Sequence, residues 1–385
     1  MKILITGGTG TISSGLVKES VEKKFETYAI TRGSNNKRNI KGAKYIHANI
    51  WDKQEINVAL KNLEFDVIVE CLVMDVNQLK VSLENFSNKC KQYVFISTAA
   101  IYNRDNNRRI KETDPKEFEE WSYTKNKIEC EKYLKEFSEN KGLNYTIVRP
   151  TVTYGDYRIP FPIATRTPGW TFFDRMKNGQ LMLASDNVKF SIIHISDFSK
   201  MVVGLFENER AMNEDFHITS DNNDIYWDDV IKISAKLLKI EPKIVHVSAH
   251  TLMEIWPSIY EEIVYHKNTT QIFDSKKIQD VTGIEAKINL DQGIEMIVSS
   301  MEREFRDEKL SLDEKWNDFC NATIYYAYSK KLLSDDEMKI VERFINENGD
   351  TNLRESYEKI KKFNRLIKIH RIKDKMKRIL KKLLK

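Results

Sequence analysis

The chain has 385 residues, 41% of them hydrophobic and 31% charged, which is the balance of a water-soluble globular protein with room for a dinucleotide-binding domain and a smaller lobe. No apolar run reaches membrane-spanning length, and the first apolar residues already belong to a strand, so the sequence predicts a cytoplasmic protein without a signal peptide. The net charge of +5 conceals an asymmetry: residues 356–385 carry thirteen Lys or Arg against Glu358 and Asp374, a net +11, and leave the remainder near −6.

The chain opens on Lys2-Ile3-Leu4-Ile5-Thr6, an apolar strand, which runs into Gly7-Gly8-Thr9-Gly10 and then an amphipathic helix carrying Leu16, Val17, Val21 and Phe25. A strand, a tight glycine turn and a helix N-terminus form an anion-binding unit. Gly7 permits the turn, Gly10 lets backbone approach a pyrophosphate, and the helix from Thr11 and Ile12 presents unpaired N–H groups at its positive dipole end. The third small position of this fingerprint is Ser13.

Thr27 to Thr31 reads as the second strand, followed by the basic loop Arg32 to Arg38. An acidic residue here would bind the ribose 2′-hydroxyl of NAD, whereas an arginine accommodates the 2′-phosphate of NADP. The chain offers Arg32 and no carboxylate, so either dinucleotide is expected, with NADP favoured. A third strand near Ala43 to Ala48 leads into Asn49-Ile50 and a helix over Gln54 to Asn62. Asp66 to Leu72 is a buried strand, Val76 to Asn88 a helix, Gln92 to Thr98 a fifth strand and Leu143 to Arg149 a sixth. Strands alternating with helices predict an α/β fold: a doubly wound parallel Rossmann sheet with ligands beyond the carboxyl ends of its strands.

A helix opens at Trp121 and continues to about Phe137. It places Tyr123 and Lys127 four residues apart on one face. Further on, Asp156 to Lys189 reads as a loop-heavy substrate lobe, Ser191 to Asp197 and Glu214 to Thr219 return to strand, and Trp227 to Leu238 and Val247 to His266 are helical. The four cysteines, Cys71, Cys90, Cys130 and Cys320, lack metal-ligand spacing, so no metal site is expected and the thiols are structural.

Five motifs in order carry a resemblance: TGGTGTIS at Thr6 to Ser13, ISTAAIY at Ile96 to Tyr102, YTKNK at Tyr123 to Lys127, VRPTVTYG at Val148 to Gly155, and IIHISD at Ile192 to Asp197. Over residues 1–295 the chain resembles the extended short-chain dehydrogenase/reductases, the NAD-dependent epimerase/dehydratase family. The resemblance implies Tyr123 as acid/base, Lys127 as the group that lowers its pKa and holds the nicotinamide ribose, and Thr98 as a hydrogen-bond partner of the reacting oxygen. Free tyrosine has a pKa near 10, so proton exchange near pH 7 needs roughly 4 kcal/mol of phenolate stabilisation. Cofactor contacts are expected from Gly7, Thr9, Gly10, Thr11, Ile12, Arg32, Asn49, Ile50, Leu72, Lys127 and Pro150.

Where dehydratases of the family have an Asp-Glu pair after the position of Thr98, this chain has Ala99-Ala100, which disfavours dehydration. Two reactions remain: epimerisation of a sugar, favoured here and most naturally a nucleotide sugar, or NADPH-dependent reduction of a keto-sugar. A non-catalytic relative binding nucleic acid or a regulatory partner is the alternative of another class. Phe190 stands where many nucleotide-sugar enzymes place an arginine, so Arg158, Arg166 and Arg175 are the candidates for a substrate diphosphate. His194 reads as a structural residue.

The expected organisation is a Rossmann domain over 1–155, completed by 188–235, a substrate lobe over 156–187 and 236–300, and a helical extension over 301–385. In the extension, Trp316 to Lys331 and Ser334 to Asn348 are helices, the second with a Ser334/Glu337 capping box, and the last run is a basic amphipathic helix. That helix suits a membrane surface, a protein partner or docking on the body, and nucleic acid least. A homodimer is expected.

Overall fold

The computed structural model describes residues 1–33, 39–103, 108–156, 158–163, 170–221, 225–307 and 311–383, with side chains through Lys368. Its elements in chain order are β1 (Lys2–Thr6), α1 (Thr11–Glu22), β2 (Glu26–Thr31), β3 (Lys44–His47), α2 (Lys53–Ala59), β4 (Phe65–Glu70), α3 (Val76–Phe86), β5 (Cys90–Ile96), α4 (Ser122–Lys141), β6 (Asn144–Pro150) and β7 (Val152–Tyr154). There follow α5 (Thr171–Lys177), β8 (Met182–Ala184), β9 (Ile192–His194), α6 (Ile195–Val203), β10 (Glu214–Ile218), α7 (Trp227–Leu238), β11 (Ile244–His246), α8 (Ala249–Ile255) and α9 (Pro257–Glu262). The last are α10 (Lys276–Thr282), α11 (Leu290–Arg306), α12 (Glu314–Ser329), α13 (Asp335–Asn348) and α14 (Thr351–Leu383).

Two compact units divide the chain. The first comprises residues 1–160, 189–226 and 269–297. Its seven-stranded sheet has the order β10-β6-β5-β4-β1-β2-β3, and every pairing is parallel. Period-two alternation puts Ile3, Ile5, Val67, Val69, Val94 and Val148 on one face, against Leu16 and Val17 of α1 and Phe198, Met201 and Val202 of α6. Leu4, Ile68, Tyr93, Phe95 and Ile147 line the other, against Leu79 and Leu83 of α3 and Cys130 and Leu134 of α4. With both faces covered, the strands are apolar throughout, as parallel strands must be.

The helix ends follow from local chemistry. Asp52 caps α2 by accepting the N–H groups of Gln54 and Glu55, Asp75 caps α3 through those of Asn77 and Gln78, and Gly142 at φ +69° ends α4. Gly15 sits where a Cβ would come within 2.5 Å of Ile195 Cγ1, so it sets the close crossing of α1 on α6. Residues 269–297, read from sequence as part of the lobe, cluster with the sheet. Ser191 Oγ accepts the Phe273 N–H, and the Asp197 carboxylate accepts the N–H groups of Lys287 and Ile288, both at 2.7 Å.

The second unit comprises residues 161–188, 227–268 and 298–385, so the C-terminal helices group with the lobe segments. Within the stretch read from sequence as loop, α5 and β8 form, and β8 pairs in parallel with β11. The run Val247 to His266 is interrupted rather than continuous, because Pro257 lacks an N–H and begins α9 as a new helix. Ile255, Phe319, Ala322 and Ile360 form a core in which Trp256 stacks on Phe319 at 4.6 Å. The Ser334/Glu337 capping box forms as the spacing predicts.

His246 of β11 is held between two carboxylates, with Nε2 2.9 Å from Asp228 Oδ1 and Nδ1 3.1 Å from Glu337 Oε1. The hydrogen bond with Asp228, reinforced by the charges of Asp228 and Glu337, raises its pKa above the ordinary 6.5. A raised folded-state pKa contributes stability that is complete below the unfolded value and is lost as pH rises through the folded one. The stability difference between the parent and His246→Gln is therefore expected to be greatest below about pH 6.5 and to vanish at alkaline pH, read from urea midpoints across the range. A difference that does not vary with pH contradicts this.

Candidate active site

Strand order reverses between β1 and β4: the chain winds outward through β2 and β3 on one side and through β5 and β6 on the other. The crevice beyond the carboxyl ends of the strands opens at such a switch point. Gly7 and Gly8 follow β1 at φ +97° and +87°, a region closed to most side chains, and a Cβ on Gly8 would lie 2.9 Å from Ala29 Cβ. Gly10 differs. Its φ is −82°, and a Cβ there would meet no protein atom nearer than Ser13 Oγ at 3.5 Å.

Neither conformation nor protein packing therefore requires glycine at position 10. What its missing side chain leaves open is the approach to the N-terminus of α1, which has no side-chain cap and no acidic residue in its first turn. Ser13 supports the turn by accepting the Gly10 N–H at 3.2 Å while its own hydroxyl donates to the Gly10 carbonyl. A helix start left bare, with the N–H groups near Thr11 and Ile12 available and Thr9 half-buried beside them, fits a dinucleotide pyrophosphate.

The remaining cofactor candidates lie around the same strand ends. Arg32 is exposed just past β2, where Thr31 Oγ1 accepts the Gly33 N–H at 3.2 Å; residues 34–38 of that loop lie outside the described residues. Beyond β3, Asn49 donates its N–H to Glu55 and accepts that of Trp51, while the carbonyl of buried Ile50 accepts from Asn85 Nδ2. Leu72 is 39% exposed past β4, an unusual position for leucine and a surface open to an apolar ring. Pro150 closes β6, half-buried.

Lys127, on α4, is buried and directs two of its three ammonium protons to the carbonyls of Val73 at 2.7 Å and Ile96 at 2.9 Å. These carbonyls lie just beyond β4 and at the end of β5. Burial lowers its pKa, opposed by nearby ionisable groups that include the Glu70 carboxyl. One turn earlier Tyr123 is half-buried, its ring 4.8 Å from that of Trp121. Thr98, just past β5, accepts the Ala100 N–H on Oγ1 at 3.2 Å, so its own hydroxyl proton is available to another acceptor. Ala99 and Ala100 are buried in a short 3-10 turn.

Two buried networks escaped the sequence reading. Glu70, the last residue of β4, is wholly buried and accepts the Thr6 hydroxyl at 2.8 Å, the Leu72 N–H at 2.7 Å and the Ser82 hydroxyl at 2.6 Å. Thr6 Oγ1 in turn accepts the Cys71 N–H. Burial raises the Glu70 pKa from its ordinary value, against these hydrogen bonds. The signal was one acidic residue inside the apolar run Val67 to Val73. In the second network, Arg149 of β6 is fully buried, bidentate on Glu131 at 2.9 and 2.7 Å, and bonded to Asp215 at 2.8 Å and to the Tyr102 hydroxyl at 2.6 Å. It braces α4 against β6 and β10 below the helix turn that carries Tyr123 and Lys127.

The other sequence candidates separate. Arg158 is exposed beyond β7. Arg166 lies outside the described residues. Arg175 belongs to the second unit, where it is 2% exposed and engaged with the Leu181 carbonyl, Asn317 Oδ1 and Asn321 Oδ1, so the diphosphate role read from sequence is not carried forward for it. His194 is buried, accepts the Ser196 N–H on Nδ1 and so caps α6. Among the described residues no His, Cys, Asp and Glu side chains cluster as a metal site.

Residues 3–219 match the model of the NAD dependent epimerase/dehydratase family, more than half of the chain, and the protein belongs to that family. Comparison with curated protein sequences returns no match. Among solved structures, the chain is similar to the UDP-glucose 4-epimerase of Thermotoga maritima with UDP-glucose, at 20% identity over 79% of this chain and 100% of that one, with a TM-score of 0.65. It is also similar to the UDP-glucose 4-epimerase of Thermus thermophilus in complex with NAD, at 16% identity over 78% and 99% of the two chains and a TM-score of 0.64. The UDP-glucuronic acid 4-epimerase of Bacillus cereus in complex with NAD is similar at 15% identity over 82% and 100%, with a TM-score of 0.64. At these identities the likeness shows a shared fold.

Replacing Glu70 with Ala leaves Thr6, Leu72 and Ser82 without their common acceptor. We expect a stability loss of about 2–4 kcal/mol in denaturant melts together with weakened dinucleotide binding, and Glu70→Gln to recover most of both. Equal losses for the two variants contradict this assignment.

Proposed function

We propose that the protein is an NAD(P)-dependent epimerase acting on a nucleotide sugar. The observation that carries the reading is the fixing of Lys127 by the Val73 and Ile96 carbonyls, one helical turn from Tyr123, in the unit that bears the uncapped glycine turn. When bound, the nicotinamide supplies a reversible acceptor for the hydride of a sugar carbinol.

Gly7 to Ile12 hold the pyrophosphate, Arg32 the adenosine ribose or its 2′-phosphate, Asn49 and Ile50 the adenine, and Leu72, Lys127 and Pro150 the nicotinamide side. Tyr123 takes the proton of the carbinol hydroxyl and returns it. Lys127, with one ammonium proton left for a ligand, stabilises the Tyr123 phenolate by its charge. Thr98 donates its hydroxyl to the reacting oxygen and holds it in place. We assign the substrate diphosphate to Arg158, which is exposed beyond β7.

The buried alanines at 99 and 100 favour epimerisation over dehydration, since neither moves a proton from carbon. Two of the similar structures contain a UDP-sugar enzyme with NAD, which supports a nucleotide sugar as the substrate class. Arg32 favours the second reading, NADPH-dependent reduction of a keto-sugar, and turnover distinguishes the two.

Incubated with UDP-hexoses, the protein is expected to interconvert a pair of epimers without net consumption of dinucleotide. Tyr123→Phe should lower kcat by roughly 10²- to 10⁴-fold while dinucleotide affinity changes little. Stoichiometric consumption of NADPH with a keto-sugar establishes the reductase instead, and an unchanged rate in Tyr123→Phe removes this site from the chemistry.

A further inference from the structure

The longest helix, α14, presents two different apolar stripes. Its first half packs within the second unit: Leu353 and Ile360 are buried, Tyr357 lies by Tyr326 at 6.1 Å between ring centroids, and Asn364 Nδ2 donates to the Ile255 carbonyl. From Arg365 to Lys368 the side chains are exposed. Leu366 is 57% exposed and Ile367 36% exposed.

The sequence beyond carries a second pattern. An α-helix advances about 100° per residue, so positions 369, 372, 376, 379 and 383, occupied by Ile, Ile, Met, Ile and Leu, gather on a stripe that lies roughly 110° around the axis from positions 353, 357 and 360. The distal stripe therefore does not continue the face by which α14 packs on α12. From Lys368 to Lys385 the chain has nine Lys or Arg and the single acid Asp374, with most of the bases at positions outside the apolar arc.

Three occupants could cover such a face, and charge distinguishes them. A second copy of the helix would bring nine more cations with one acid to neutralise them, the opposite of the complementary flanks that stabilise paired helices. Nucleic acid matches the charge but has no use for an aliphatic stripe. An anionic bilayer matches both, since aliphatic side chains enter the acyl boundary while flanking lysines extend to the headgroups. The apolar arc is too narrow for a span, and among the described residues no helix is long and apolar enough to cross a membrane.

We propose that the distal half of α14, from about Leu366 onward, is a peripheral membrane anchor that lies on anionic lipid surfaces while the proximal half ties it to the second unit. This holds whichever reaction the first unit catalyses.

The test uses the full chain with vesicles of phosphatidylcholine alone and of phosphatidylcholine with phosphatidylglycerol, read by co-sedimentation. Binding is expected to the anionic vesicles, to be at least about tenfold weaker on neutral ones, and to weaken as salt rises. The double variant Ile372→Asp/Ile379→Asp and a chain ending at Lys368 should both lose it while melting as the parent does. The inference is overturned if the full chain stays in the supernatant with anionic vesicles, if either variant sediments as well as the parent, or if the chain binds RNA and not vesicles.

Discussion

The hydrogen bond from Thr6 to Glu70 joins the ends of β1 and β4 at the place where the sheet reverses its winding. Parallel strands there diverge into connections that run to opposite faces, which opens the crevice and also leaves it without a backbone ladder to close it. Glu70 supplies the tie. By accepting from Thr6, Leu72 and Ser82 together, it fixes the loop whose Val73 carbonyl holds Lys127. The glycine turn, the apolar surface of Leu72 and Lys127 are thus referred to one buried carboxyl group.

A second constraint works from the opposite side. Arg149, Glu131, Asp215 and Tyr102 form a buried, fully engaged cluster linking α4 to β6 and β10. A buried ion pair is at best a weak source of net stability, but breaking one is costly because it leaves a charge without its partner. The arrangement favours position over strength: α4 cannot shift on the sheet without uncovering that cost, and α4 carries Tyr123 and Lys127.

Much of the first unit was legible because its signals are local. Strand β1, the glycine turn and α1 follow from an apolar run, three glycines and a periodic pattern, and Trp227 to Leu238 was read with the bounds the structure shows. The α13 capping box likewise needs only Ser334 and Glu337. What was not legible depends on partners distant in sequence. The pairing of β8 with β11 joins three-residue strands some sixty residues apart, too short for any periodicity to show. Arg175 read as a ligand-binding arginine because the asparagines that surround it, Asn317 and Asn321, come from a helix more than 140 residues later. Gly10 and Gly15 look alike in sequence, yet a Cβ on Gly15 would collide with Ile195, whereas one on Gly10 would meet, among the described residues, only Ser13 Oγ at an ordinary 3.5 Å.

The central claim is that the first unit holds a nicotinamide dinucleotide and recycles it in place. The most direct measurement is to denature the purified protein and identify the released small molecules by mass spectrometry and absorbance. The account predicts NAD or NADP at close to one equivalent per chain, carried through purification and released only on unfolding. Failure to retain either dinucleotide, together with failure of the native protein to bind added NAD or NADP, would contradict it.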